Sequence, residues 1–526
     1  MEGVLFSHAD RQQMTALGIT EDQVRAQLEI FRKASFFVHL DRFCTPQDGV
    51  QKIPLKDTDR YLEMHRKAAR GGRFTKFVPA SGAATRMFQS LLQIYHLPHF
   101  LEYEELHRRA EGGVSVACDF LVFMEAIKRF AFVEDLQAAM DRDGYSLDGL
   151  IEQNQFRTIL EYILTERGLN LGSIPKGLLK FHRYPVECRT AFEEHMVEAA
   201  HYLSHGSGLC SIHFTVAPEF EAQFKQLSEK MKRCYEERFG VSYDICFSFQ
   251  KESTNTIAVD SDNRLFRDRL GRLVFRPGGH GALIENLNDL KGDLIYIKNV
   301  DNLIPDHLRD TTIFWKKVLG GYLVEIQEIV HGYVRGLKEE ISPGVIASAD
   351  RFAREKLLIQ FPKAYETCSL EEKHSFLLDE LNRPIRVCGV VQNVGEPGGA
   401  PFWVKSKKGT LSLQIVEKAQ VNCSCPQQQK IWMSSTHFNP VDLICAVRDH
   451  EGKPFDLRQY VDPEAVFITR KFKDGRELKA LELPGLWNGA MSDWITIVVD
   501  VPRITFNPVK TIFDLLKPEH QPENHG

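Results

Sequence analysis

The sequence lacks an excess of positive charge, an apolar run of membrane-spanning length and a regular cysteine framework. Its 66 Lys and Arg stand against 71 Asp and Glu, a formal net charge of −5. A general binder of nucleic acid or of anionic membrane carries a basic excess, so neither partner is expected; a local anion pocket stays open. The eleven cysteines are scattered. Met1-Glu-Gly-Val-Leu-Phe-Ser-His8 has neither a basic region nor a long apolar run, so no secretory signal is expected, and reduced thiols in a cytoplasm are the simplest reading. Cys423-Ser-Cys425 is the closest pair, without the partner pair a zinc site would need. Internal repeats and low-complexity linkers are missing too.

What is present is an ordinary globular composition, 43% hydrophobic and 26% charged, over 526 residues, which is more than one core accommodates. Residues 1–70 read as a helical segment, with apolar positions at three-to-four spacing over Ala9–Lys33 and Asp57–Ala69. The main body, 71–516, carries a helical insertion at 88–172, where Phe120–Met140 is apolar on most of its circumference and Phe156–Leu164 forms an amphipathic stripe. Strands at Ser211–Val216, Tyr243–Gln250 and Asp293–Lys298 alternate with helices at Ala191–Leu203 and Glu219–Tyr235. That alternation predicts an α/β fold with a mixed, mostly parallel sheet. A second helical segment spans 306–380, with Gly320-Gly321 as its weak point. Strands follow at Ile385–Gln392, Leu411–Val416, Asp442–Val447 and Ile495–Val501, and a polar tail at 517–526 reads as frayed.

Five segments carry chemistry. Phe77-Val-Pro-Ala-Ser-Gly-Ala-Ala-Thr-Arg-Met87 reads as a strand, a loop of small residues and a helix opening on Thr85 and Arg86. Such a loop lets backbone N–H groups approach a polyphosphate, and a helix N-terminus favours negative charge. Pro175-Lys176 fixes the backbone beside a compact cation. Arg276-Pro-Gly-Gly-His-Gly281 packs three glycines into six residues, which means close backbone approach or a plain turn. Ile297-Lys-Asn-Val-Asp-Asn302 ends a strand where ligands of open α/β sheets sit, and Asp301 is a hard oxygen ligand suited to Mg²⁺, or an Asx turn. Val501-Pro-Arg-Ile-Thr-Phe-Asn-Pro-Val-Lys510 uses two prolines to deliver Lys510 at a defined place.

In order, these segments resemble the UDP-sugar pyrophosphorylases, most closely the UDP-glucose pyrophosphorylase type. The Val501–Leu516 run is the most specific part, and Thr436-His-Phe-Asn-Pro-Val-Asp442 is similar to that family's asparagine-rich strand entry. The chain is also similar to bacterial proteins known only as a domain of unknown function. The resemblance implies a GT-A-like nucleotidyltransferase core. It implies condensation of a nucleoside triphosphate, UTP favoured, with a sugar 1-phosphate, giving a nucleotide-sugar and pyrophosphate. By position, Arg86 and Lys176 would hold the triphosphate, Lys510 the phosphates of the sugar substrate, and Asp301 the Mg²⁺. Ala80, Ser81, Gly82, Ala83, Ala84 and Thr85 would cradle phosphate, while Gln250, Gly279, His280 and Gly281 would face the base. Glu396, Gly398, Glu417 and Asn439 are expected at the sugar. The sequence departs from the family at Ala83 and Ala84, where glycine is preferred, at Ala282, where an acid is usual, and in the long helical stretch between Met87 and Lys176. Two other readings stand beside this one. One is a module of the same fold that binds nucleotide or nucleotide-sugar without turnover. The other is a nucleotide-sugar-dependent glycosyltransferase using Asp260-Ser-Asp262 as a metal pair.

Overall fold

Residues 6–33, 37–97, 103–204, 208–395, 398–406 and 409–523 are described by a computed structural model. The chain divides into two compact units. One comprises residues 1–77, 248–298 and 316–503; the other comprises 78–247, 299–315 and 504–526.

The first unit is built on a mixed sheet. Its strand order is Val50–Gln51, Ile495–Asp500, Ile385–Gln392, Asp442–Ala446, Leu294–Lys298 and Phe74–Pro79. Three neighbouring pairs are parallel, with Val498 opposite Val50, Ile385 opposite Ile495 and Leu294 opposite Phe74. Asp442–Ala446 alone runs against both of its neighbours. These strands read as near-continuous apolar runs because both faces are covered, and Ile385–Val391 is buried at every position. The expected α/β class with a mixed, mostly parallel sheet is therefore present. Two antiparallel sheets lie in the same unit: His39–Phe43 with Ala400–Lys405 and Leu411–Val416, and Thr256–Val259 with Phe275–Arg276, Phe467–Lys473 and Arg476–Glu482.

The helix Arg309–Glu339 runs unbroken through Gly320-Gly321. The pair is a contact rather than a weak point. A Cβ on Gly321 would stand 1.8 Å from the Tyr61 carbonyl oxygen, and one on Gly320 would stand 2.1 Å from the Tyr296 hydroxyl. The glycines let the helix lie directly against Thr58–Arg70 and the sheet. Residues 1–70 are not purely helical, since His39–Phe43 and Val50–Gln51 pair into sheets whose partners are hundreds of residues away. Ala9–Lys33 is two helices, His8–Leu17 and Glu21–Arg32, divided where Gly18 takes φ +69°.

The second unit holds the strands Leu209–Thr215 and Ser242–Ser248 with the helix Glu221–Phe239 between them. It also holds the helical stretch expected at 88–172. Within that stretch Phe120–Met140 is two helices, Ser115–Glu125 and Val133–Asp141. The break carries an aromatic stack, with Phe130 5.1 Å from Phe123 and 5.2 Å from Phe132. The tail is not frayed where it is described. His520 is buried, with Nδ1 3.0 Å from Nε2 of His182, and burial pulls its imidazole down to about 3. Residues 524–526 lie outside the described residues.

Candidate functional site

Four of the five segments meet inside the second unit. The small-residue loop is stitched to the Pro175-Lys176 segment. The Ala84 N–H donates to the Ile174 carbonyl at 2.9 Å, and the Lys176 N–H donates to Gly82 at 3.3 Å. On its other side the Met87 carbonyl accepts the Ile512 N–H at 3.1 Å, which ties the loop to the segment bearing Lys510. The strand end is fixed in the same way. The Val509 N–H donates to the Asp301 carbonyl at 2.9 Å, and the Asn507 N–H donates to Asn302 Oδ1 at 3.0 Å.

These backbone ties bring three charges together. Lys176 Nζ donates to Asp301 Oδ2 at 2.8 Å and to the Val509 carbonyl at 2.7 Å. Lys510 Nζ lies 3.2 Å from Oδ1 and 3.1 Å from Oδ2 of the same carboxylate. Burial alone would raise the Asp301 carboxyl; the ammonium groups of Lys510 and Lys176 outweigh it and hold the group below the ordinary aspartate range. Asp514, which the sequence reading left without a role, shapes the turn that presents Lys510. Its Oδ2 accepts from the Lys510 N–H at 2.8 Å and from the Thr511 N–H at 2.7 Å. Thr511-x-x-Asp514 has the spacing of a capping box, the signal by which this residue was legible.

The loop itself differs from expectation. Thr85 and Arg86 stand in a single 3-10 turn, Ala84–Arg86, and the α-helix begins only at Gln89 and spans seven residues. Two of its six positions do not offer their N–H groups, since that of Ala80 goes to the Thr215 carbonyl at 2.8 Å and that of Ala84 to Ile174. Among the described residues the N–H groups of Ser81, Gly82 and Ala83 make no backbone hydrogen bond, and all three residues are exposed. Three successive free N–H groups suit an anion. Arg86 is exposed and lines a cavity of about 580 Å³ with Thr85, Gln89, Leu92, Gln93 and His96.

Asp301 was expected to hold Mg²⁺. The donor set does not fit that ion, because one carboxylate already accepts from two ammonium groups. Among the described residues no cluster of three or more His, Cys, Asp or Glu side chains is placed to hold a metal.

The residues expected at the base and the sugar lie in the first unit. Gly278 to Gly281 press on their own protein. A Cβ on Gly281 would stand 2.1 Å from the Pro484 carbonyl oxygen and one on Gly278 2.6 Å from that of Thr254, whose hydroxyl accepts from Gln250 at 3.4 Å. Gly279 alone takes φ +76°. His280 stacks on Trp487 at 4.3 Å, and its Nδ1 accepts the Leu486 N–H at 3.1 Å. Burial pulls the imidazole down to about 4, so the neutral ring carries its proton on Nε2, which faces Glu417 Oε1 at 3.8 Å. Burial pushes the Glu417 carboxyl up, opposed by a hydrogen bond from Trp487 Nε1 at 3.2 Å and reinforced by Glu482. Sequence reasoning missed Trp487 and Glu482, which sit in an unmarked loop and at a strand end.

Asn439 bonds the backbone through both ends of its amide. It is buried, with Nδ2 donating to the Gly389 carbonyl at 2.9 Å and Oδ1 accepting the Val441 N–H at 3.1 Å. Gly398 lies under Phe438, where a Cβ would stand 2.3 Å from the ring. Glu396 lies outside the described residues. Asp260 of the Asp260-Ser-Asp262 segment is used in a turn. Asp260 Oδ1 accepts the N–H groups of Asp262 and Arg264, each at 2.9 Å, an Asx turn. A cavity of about 1140 Å³ in this unit touches none of the expected site residues.

A family model described as a domain of unknown function (DUF4301) matches residues 7–521, and the chain belongs to that family. No curated protein matches the sequence. Among solved structures, the chain is similar to the uridine diphosphate N-acetylglucosamine pyrophosphorylase of Trypanosoma brucei, at 13% identity over 97% of this chain and 79% of that one, with a TM-score of 0.46. It is similar to a mutant UDP-glucose pyrophosphorylase of Leishmania major in complex with UDP-glucose, at 13% identity, the same coverage and a TM-score of 0.43. A UDP-glucose phosphorylase of Trypanosoma brucei matches at 13% identity over 97% of this chain and 77% of that one, with a TM-score of 0.45. Likeness at this level carries no activity or substrate across. Among the described residues no helix is long and apolar enough to cross a membrane.

Proposed function

We propose that this chain is a sugar-1-phosphate nucleotidyltransferase that condenses a nucleoside triphosphate, UTP favoured, with a sugar 1-phosphate. The observation that carries this reading is the meeting of Lys176 and Lys510 on one carboxylate, beside a loop with three free N–H groups. A phosphate oxygen of the sugar substrate would attack the α-phosphorus of the triphosphate. The new oxygen–phosphorus bond forms as the bond to the β-phosphate oxygen breaks, and pyrophosphate leaves in line. Two anions must first be brought together against a repulsion of about 1 to 4 kcal/mol for each close pair at about 4 Å. The two ammonium groups and the guanidinium of Arg86 offset that repulsion and stabilise charge on the leaving group. Holding the reactants in line supplies much of the rest. No general base is needed, since the attacking phosphate is already ionised.

A second reading, binding of a nucleotide or nucleotide-sugar without turnover, is favoured by the loop N–H groups of Ala80 and Ala84, which are engaged within the protein. Pyrophosphate release from UTP with a panel of sugar 1-phosphates separates the two. Release with one or more members supports the enzyme, and binding of UTP without release across the panel supports the module.

A further inference from the structure

We propose that Lys176 and Lys510 form a two-ammonium receptor for a phosphate group, and that Asp301 is the resident competitor for that receptor rather than a metal ligand. The proposal rests on the reading of these lysines as phosphate ligands and goes beyond it in assigning Asp301 and in dispensing with a metal at this carboxylate.

The carboxylate occupies the receptor as a phosphate would. Two oxygens on one centre take three ammonium contacts of 2.8, 3.1 and 3.2 Å. Asp301 brings one negative charge to two positive ones, so the cluster keeps a net charge of about +1 with its ligand position filled from within. A phosphate monoester or pyrophosphate brings more negative charge and more acceptor oxygens than a carboxylate. The parts differ in freedom. The Lys176 side chain is 13% exposed and the Asp301 side chain 9%, whereas that of Lys510 is 56% exposed. Lys176 is the fixed half, held by the Val509 carbonyl; Lys510 is the arm that reaches outward. The backbone at 301 and 302 is tied to residues 507–509, so exchange of partner is a side-chain event. Asp301 thus holds both ammonium groups in place when no phosphate is bound, and yields them when one arrives.

A metal ligand and a competitor respond to removal with opposite signs. Calorimetric titration of inorganic pyrophosphate into the full chain, in EDTA at low salt, decides between them. The wild type is expected to bind without metal. Asp301→Asn is expected to melt earlier when free, to bind pyrophosphate at least ten-fold more tightly, and to gain a larger rise in melting temperature from it. Lys510→Met is expected to lose at least ten-fold. Binding that vanishes in EDTA and returns with Mg²⁺ overturns the proposal, as does an Asp301→Asn chain that binds more weakly or unchanged. If Asp301→Asn does not fold, the wild-type EDTA titration and Lys510→Met still decide. Turnover is read separately. Metal-free binding with no pyrophosphate release across the panel leaves the receptor standing and removes the enzyme. Turnover together with weaker binding by Asp301→Asn removes the receptor alone.

Discussion

Lys176→Met tests the clamp through stability. Methionine keeps the apolar stem and deletes the ammonium that binds Asp301 at 2.8 Å and the Val509 carbonyl at 2.7 Å. Breaking a buried ion pair costs about 3–5 kcal/mol when the remaining charge has no other partner. Here Lys510 stays on the carboxylate, and Asp301 can also relieve itself by taking a proton, so a loss of about 2–3 kcal/mol at pH 7.5 is expected. The pH dependence has a definite sign. In the wild type Asp301 is held below its ordinary value, so its contribution is present above the unfolded value of about 3.9 and is lost only as pH falls through the lower, folded one. With one lysine gone, burial prevails and the carboxyl moves up. The gap between wild type and variant is therefore widest at neutral pH and narrows as the solution is acidified. Because the chain has two units, a single global unfolding energy is the wrong readout. The opening energy of the Val509 N–H, which bonds the Asp301 carbonyl, is the right one, measured by hydrogen exchange at pH 7.5 and pH 4 and corrected for intrinsic rates. Equal protection in the two proteins at pH 7.5, or a gap that widens on acidification, would refute the reasoning.

Three further outcomes follow from other parts of the molecule. Gly321→Ala drives a methyl into the Tyr61 carbonyl and should cost about 3 kcal/mol or more, while Gly332→Ala on the same helix meets open space and should gain about 0.5–1 kcal/mol; thermal melts should move in opposite directions. Glu194 is fully buried and holds His182 at 2.9 Å, Tyr184 at 2.6 Å and Arg309 at 2.7 Å, so Glu194→Ala should lower the opening energy of the second unit by about 3–5 kcal/mol, read by hydrogen exchange of its protected amides against the wild type. His280 should remain neutral with its proton on Nε2 at pH 6, a tautomer that imidazole nitrogen shifts report directly; a charged ring at that pH contradicts the site described for it.

Elements fixed by local pattern were legible in the sequence. Ala191–Tyr202 opens on the Thr190-x-x-Glu193 capping box, and Leu294–Lys298 and Ile385–Gln392 are apolar runs buried at almost every position. Elements fixed by distant partners were not. His39–Phe43 carries a mixed polar sequence and becomes a strand only because Ala400–Lys405 lies beside it. Phe467–Lys473 is a different case: it pairs throughout with the adjacent Arg476–Glu482 across a two-residue turn at Asp474-Gly475, a local signal that was passed over. At the site, residue types announced the cations, and order along the chain announced that they belong together. Which atoms they touch was not announced. Asp301 looked like a metal ligand because a carboxylate at a strand end suits one, and nothing in its own neighbourhood reveals two lysines arriving from 125 and 209 residues away. The backbone partners of Asn439 were equally unannounced, since an asparagine in a turn serves the backbone as readily as a ligand.

The central claim is that cations from distant segments form one site that carries out nucleotidyl transfer. Pyrophosphate release from UTP with a panel of sugar 1-phosphates, for wild type and Lys510→Ala, tests it most directly. The account predicts release that requires both substrates and falls about 100-fold or more in the variant, the scale of losing one charge-stabilising donor. Release by Lys510→Ala at the wild-type rate, or UTP binding with no release across the panel, contradicts it.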